Sequence, residues 1–378
     1  MRRVERVCVV TGARSEYGLL KPVMEEIGKH FELQLVATGM HLLSQFGDTL
    51  QEIESDGFSI YSTVEMMHGG DQMADMARSI GTGIHGLTDA FEELKPDVVI
   101  LLGDRIETLA AAIAASYSGI VVGHLHGGDR SQGGVDEYSR HAITKMSHIH
   151  FPATATSAER ILRLGEEQSR IHMVGAPGLD VILNEDLPGP QAISERFGHS
   201  VPPILLVMHP VSTSPDAAEE EMRIVVDALL EREPPVIALY PNADAGGRRM
   251  VEVLDEHSNW IQVHSSLPRP EFLGLMRDCA MMVGNSSSGI IEAPSFHIPV
   301  VNIGPRQNGR ERAGYVIDVP CSATAIREAI DSVLAGEYSE SIENAENPYG
   351  DGTASVRIAA VLQELDLDTD LLRKEITY

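Results

Sequence analysis

Lysine is scarce in this chain. Of 29 basic residues only Lys21, Lys29, Lys95, Lys145 and Lys374 are lysine, set against 56 acids and a formal net charge of -27. No basic stripe offsets that acidic field, which excludes general nucleic-acid binding. An anionic ligand would have to be drawn to a local pocket of arginines. The acidic surface suits a high-salt cytoplasm and a mesophilic one alike. Cysteine is nearly absent: Cys8, Cys279 and Cys321 are an odd number without CxxC spacing, so they read as reduced core residues, and disulfides and a zinc knuckle are not expected. No apolar stretch approaches the ~20 residues of a membrane span, and MRRVERVCVVTG runs directly into a strand-like segment rather than a signal peptide. A cytoplasmic protein without a membrane partner is the expectation. A GxGxxG dinucleotide loop, an internal repeat and a low-complexity tract are lacking as well.

What is present is alternation. At 378 residues the chain is long for one core, and two domains of ordinary size are expected. VERVCVVTGA, FELQLVATG, DVVILLGDR, GIVVGHLHG and SHIHFPAT are β-rich runs separated by helical segments. The spacing is that of βαβ units in a parallel sheet covered by helices on both faces. After the Gly- and Pro-rich GAPGLDVILNEDLPGP a second series begins: PPILLVMHP, PPVIALYPN, WIQVHSS, CAMMVGNSS, IPVVNIG and YVIDV. The fold class is therefore α/β, two doubly wound, Rossmann-like domains joined near residue 180, spanning 1–178 and 179–361. Ligands of such sheets bind beyond the carboxyl ends of the strands. The polar clusters all follow apolar runs: TGARSEYG, GDRIET, HLHGGDR, MHPVSTS, PNADAGGR and GNSSSG. A cleft between the domains is the economical reading.

GNSSSGIIEA places Ser286 and Ser287 at a strand-to-helix turn, where hydroxyls, backbone N–H groups and the helix dipole favour a phosphate. Glu292, farther along the helix, would repel phosphate and is expected to accept hydrogen bonds from sugar hydroxyls. Arg306, in NIGPRQNGRE, is a candidate cationic partner. GDRIET sets Asp104 beside Arg105, and an ion pair is the plain alternative there. In HLHGGDRSQGGVDEYSRHAITK, His124 and His126 read as one face of a strand, followed by Asp129, Asp136, Glu137 and His141. These carboxylates and imidazoles suit proton transfer. Metal ligation is the weaker reading, because no third ligand set closes the site. Asn242, Asp244 and Arg248 occupy the next loop, and His209 is held in a turn by the following proline.

Laid out in this order, the loops resemble those of the UDP-N-acetylglucosamine 2-epimerases, in particular the hydrolysing branch that supplies sialic, legionaminic and related nonulosonic acids. The likeness runs through TGARSEYG, GDRIETLAAA, HLHGG, VDEYSRHAITKMSHIHF, MHPVST, PNADAGG, GNSSSGIIEA, VNIGPRQNGRE and PYGDGTAS. It implies a fold similar to that of the GT-B glycosyltransferases, an active site in the interdomain cleft, and a last helix, placed at 362–378, that crosses back to the N-terminal domain. It also implies nucleotide contacts from Arg14, Arg105, His209, Asn242, Arg248, Ser286, Ser287, Glu292 and Arg306, and catalytic roles for Asp104 and Asp136. Where relatives carry a carboxylate, in an HIEGG or HVEAG pattern, this chain has His126, and the loop before Asp136 is one residue longer than in some relatives. The base that removes the sugar C2 proton is thus open between Asp104, Asp136 and Asp129. The implied reaction needs no cofactor and no metal. The implied partners are a nucleotide sugar, UDP-linked or GDP-linked, and copies of the same chain in a homodimer or homotetramer. A reversible epimerase and a sugar-nucleotide sensor without turnover are the alternatives.

Overall fold

The computed structural model describes residues 2–44, 49–70, 72–130, 135–184, 186–211, 214–230, 234–343, 346–368 and 370–378. Twelve strands among them form two six-stranded sheets. The first comprises β1 (Arg6–Thr11), β2 (Glu32–Thr38), β3 (Ile60–Val64), β4 (Val98–Leu102), β5 (Val121–Leu125) and β6 (Ile149–Phe151), in the order β3-β2-β1-β4-β5-β6. The second comprises β7 (Ile204–Val207), β8 (Val236–Leu239), β9 (Ile261–His264), β10 (Met281–Gly284), β11 (Val300–Ile303) and β12 (Val316–Val319), in the order β12-β11-β10-β7-β8-β9. Every pairing is parallel. Renumbered from its own first strand, the second sheet repeats the order of the first. Both are Rossmann-like and doubly wound, as the βαβ alternation implies. Central strands such as VVILL of β4 are buried on both faces, which is why they read as unbroken apolar runs rather than alternating ones.

The order of each sheet reverses between its first and fourth strands, β1/β4 and β7/β10, and adjacent loops diverge there to open a crevice. Gly284 closes β10 at the second of these points. Its φ is 134°, and a Cβ there would lie 2.1 Å from the Val207 carbonyl oxygen of β7. Gly284→Ala is accordingly expected to lower stability by at least about 2 kcal/mol, read as a lower urea midpoint with an unchanged m-value.

Two features differ from the sequence reading. β3, an edge strand with alternating exposure, was not among the apolar runs: its IYSTV carries polar residues toward solvent. The returning helix is Ala354–Glu364, not 362–378. Asp180 fastens it by accepting from the backbone N–H groups of Ala354 (3.0 Å) and Ser355 (2.7 Å), and it packs on the helix Arg14–Gly28. Beyond it the described residues run without helix over the first sheet's flank. There Arg170 donates to the Leu371 carbonyl, and Lys374 donates to the Lys145 carbonyl at the end of the helix Val135–Met146. His148 and His150 are structural: His148 Nδ1 accepts from Val122 N–H, and His150 Nε2 meets the buried carboxylate of Glu166 at 3.0 Å.

Candidate active site

A cavity of about 270 Å³ lies between the two sheets, at the carboxyl ends of β1, β4, β7 and β10. On the side of the first sheet, β1 gives way to the helix Arg14–Gly28. The Gly12 N–H donates to Glu16 at 2.6 Å and Thr108 Oγ1 donates to it at 3.3 Å. Burial, and then the neighbouring Glu107, push the Glu16 carboxyl up to about 7. Arg14 pairs with Glu52 and reaches across the cleft to donate to Ser266 Oγ. After β4, Arg105 is held by Glu107 at 3.0 Å. Beside it Asp104 accepts from Arg140, a buried arginine whose other nitrogen donates to the His126 carbonyl at 2.9 Å.

Asp136 and Arg140 share the helix Val135–Met146 at positions i and i+4, hence one face. Asp136 lines the cavity and accepts from Arg306 Nη2 at 3.2 Å, a contact that joins the two halves of the molecule. Burial raises its carboxyl to about 7. Asp104 and Asp244 add to the rise, while Arg306 and Arg140 oppose it. The loop before it, residues 131–134, lies outside the described residues.

On the side of the second sheet, the ends of β7 and β10 clasp one another. Asn285 Oδ1 accepts from the His209 N–H at 2.7 Å, and Asn285 Nδ2 donates to the His209 carbonyl at 2.9 Å. The His209 ring accepts at Nδ1 from the backbone N–H of Asn242, 3.1 Å away. Burial, with Arg306 and Arg105 nearby, holds its pKa well below the usual histidine value. A neutral ring that accepts at Nδ1 carries its proton on Nε2, so His209 offers the cavity a donor. Ser286 caps the short helix Ser287–Ile291 and shares a hydrogen bond with Ser288. Arg306 Nη1 donates to the Asn285 carbonyl at 3.3 Å. Leu239, Tyr240, Pro241, Leu267 and Phe272 supply an apolar stretch of wall beside these polar groups.

The structure thus brings Arg14, Asp104, Arg105, His126, Asp136, His209, Asn242, Ser286, Ser287, Glu292 and Arg306 to one cavity. Arg248 is not among them. It follows the buried Gly247 at the start of its helix, faces solvent, and among the described residues approaches the Gly69 carbonyl, at 3.4 Å. Asp129 is buried off the cavity wall against His126 and Ser157. His124 and His126 do not share a face, because β5 ends at Leu125. His124 turns inward and donates from Nε2 to the Gly103 carbonyl at 2.7 Å, fixing the turn that presents Asp104. Glu292 is engaged by Arg269, whose guanidinium also donates to the Gly178 carbonyl. Glu16, Arg140 and Arg269 went unnoticed in the sequence. Arg269 and Glu16 stand in the first turn of a helix and Arg140 in the middle of one, where nothing local distinguishes them from surface residues. Among the described residues no three His, Cys, Asp or Glu side chains gather as a metal site, and no helix is long and apolar enough to cross a membrane.

The chain is similar to known proteins over nearly its whole length. The profile of the family described as UDP-N-acetylglucosamine 2-epimerase matches residues 25–363. The chain is 41% identical to the UDP-N,N'-diacetylbacillosamine 2-epimerase (hydrolyzing) of Legionella pneumophila, over 99% of this chain and 100% of that protein. It is 33% identical to the GDP/UDP-N,N'-diacetylbacillosamine 2-epimerase (hydrolyzing) of Campylobacter jejuni, over 83% and 84%. Among solved structures, the UDP-GlcNAc 2-epimerase of Methanocaldococcus jannaschii, in complex with UDP-GlcNAc and UDP, superposes with a TM-score of 0.79 at 21% identity, covering 94% of this chain and 99% of that one. That likeness shows the fold, two sheets in a GT-B-like pair.

Proposed function

This chain belongs to the UDP-N-acetylglucosamine 2-epimerase family, and on that premise we propose that it is a hydrolysing UDP-sugar 2-epimerase. It eliminates UDP from UDP-N-acetylglucosamine, or from a related UDP-linked 2-acetamido sugar, and adds water to the resulting glycal. The products are UDP and the free 2-epimer, N-acetylmannosamine or its diacetamido counterpart, which are building blocks for nonulosonic acids. The hydrolysing names of the Legionella and Campylobacter relatives support the water-adding branch.

The observation that carries the reading is the pair of carboxyl groups, Asp104 and Asp136, that line one cavity, each with its own arginine. The C2 hydrogen of the sugar is not adjacent to a carbonyl, so enolisation cannot release it. Departure of UDP from C1 must accompany its loss, and the C2–H electron pair becomes the C1–C2 double bond. Inversion at C2 then requires a proton removed from one face and another delivered to the opposite face, so two proton-carrying groups are needed. Asp104, paired with Arg140, is the base. Asp136, held partly protonated near neutrality, is the acid. At the other end of the cavity Arg306, the Nε2–H of His209 and the hydroxyls of Ser286 and Ser287 stabilise the leaving diphosphate. Arg14 and Arg105 add positive potential, Glu292 and Asn242 suit the ribose hydroxyls, and the apolar wall suits the uracil ring. Elimination followed by hydration is redox-neutral.

Isotope labels test the order of events. Reaction in deuterium oxide is expected to place deuterium at C2 of the released sugar, and reaction in heavy-oxygen water to place the label on its C1 oxygen and not on UDP. Exchange at C2 with UDP still attached would mean a reversible epimerase. Release of sugar with its original C2 hydrogen and configuration would sink the epimerase reading altogether.

A further inference from the structure

His126 has φ 60°, a left-handed backbone on a residue that carries a Cβ. Such a conformation is strained and persists where the surroundings over-determine it. Here three fastenings do so. The His126 N–H donates to the Phe151 carbonyl at 3.1 Å, its carbonyl accepts from Arg140 at 2.9 Å, and its ring Nδ1 lies 3.0 Å from Asp129 Oδ2. Asp129 is only 2% exposed, and its other oxygen accepts from Ser157 Oγ at 2.7 Å, so the carboxylate cannot swing away. Burial would raise its pKa, but the contact with His126, helped by Arg310 and Arg140, holds it below the usual carboxylate range.

A carboxylate against Nδ1 calls for a proton on that nitrogen. In the neutral ring the lone pair is then on Nε2, the nitrogen left for the cavity that His126 lines, and none of the described residues hydrogen-bonds to it. His209, on the same cavity, presents the opposite tautomer. Neither imidazole is needed to remove or return the C2 proton, which the two carboxyl groups already handle. The addition of water still lacks a base.

We propose that the His126–Asp129 pair is the general base that deprotonates water as it adds to C1 of the glycal, and that it thereby commits the sugar to release rather than recapture by UDP. This rests on the hydrolysing reading above. The ring oxygen O5 directs the addition. As the double bond takes a proton at C2 from the carboxylic acid of Asp136, positive charge develops at C1 next to O5. The water oxygen bonds to C1 and one water proton passes to His126 Nε2. The imidazolium so formed is stabilised by Asp129, which stays ionised throughout, and the ring later returns the proton to solvent.

His126→Asn is the informative variant, because asparagine tolerates the left-handed backbone and its amide can still donate to Asp129, yet it is no base. First-turnover UDP release and calorimetric UDP affinity are expected to stay within about threefold of the wild type, while free sugar formation falls at least about 10²-fold. The 2-acetamidoglycal, seen by its vinylic H1 proton resonance, should accumulate. His126→Gln, which also keeps an amide but has a longer side chain, is expected to give the same separation. If either variant, still binding UDP, loses UDP release and sugar formation in equal measure without glycal, the pair does not serve hydration and the proposal fails. If the wild type releases sugar without C2 exchange, the hydrolysing-epimerase reading fails and takes this proposal with it.

Discussion

Asp136→Asn is expected to lower kcat at least about 10²-fold while UDP affinity stays within about threefold, as befits a proton-transfer group rather than a nucleotide ligand. Near-wild-type turnover would remove Asp136 from the chemistry. In the wild type, kcat should decline as pH rises through about 7, because the acid is then spent before it can reach C2. The same carboxyl makes a prediction about stability. Its folded pKa is raised, so the stability it contributes is present in full below the ordinary carboxylate value and is lost as pH rises through about 7. Asparagine carries no such dependence. Compared with wild type in urea, the variant should gain stability at pH 8 relative to pH 5, and an equal difference at both values would show that Asp136 does not carry the raised pKa.

Arg306→Ala is the second large effect. Arg306 is the cation that reaches from the second sheet to Asp136, and it borders the serine-bearing turn. Losing a hydrogen bond to a charged group weakens binding by roughly 1.5–3 kcal/mol, so calorimetric UDP affinity should drop about 10- to 100-fold. Removing the guanidinium also removes an influence that pulls the Asp136 pKa down, so the alkaline limb of kcat should move to higher pH. Unchanged affinity would leave the turn at Ser286 a mere helix cap. An unchanged pH profile would mean that the arginine contact at 3.2 Å carries little electrostatic weight.

The strands and the loops that follow them could be read from the sequence because both are local. VVILL must be buried on two faces, and GDR directly after it must stand at its carboxyl end. Partners could not be read so easily. Arg140 in DEYSRHAITK looks like any helix-surface arginine until the fold sets it under Asp104. Of the adjacent Arg248 and Arg249 nothing local says which faces the cleft, and neither lines it. Asp129 is a candidate base in the sequence because His126 stands where relatives carry a carboxylate. Only the left-handed bend at His126 shows that it faces the imidazole instead. β3 escaped because an edge strand need not be apolar on its outer side.

The two cavity imidazoles are chemically the same side chain with opposite polarity, and what differs is the atom behind each: a carboxylate oxygen behind His126, a backbone amide behind His209. Polarity at this cleft is therefore encoded one residue back from the surface that a ligand meets. Redesigning the site for another leaving group would mean editing those backing residues and leaving the rings alone. Asp129→Asn offers an amide whose NH₂ can donate to Nδ1, which would turn the lone pair at Nε2 into a proton and convert the acceptor end of the cleft into a second donor end. The substitution changes a single atom's identity, from oxygen to nitrogen, in a side chain that never lines the cleft.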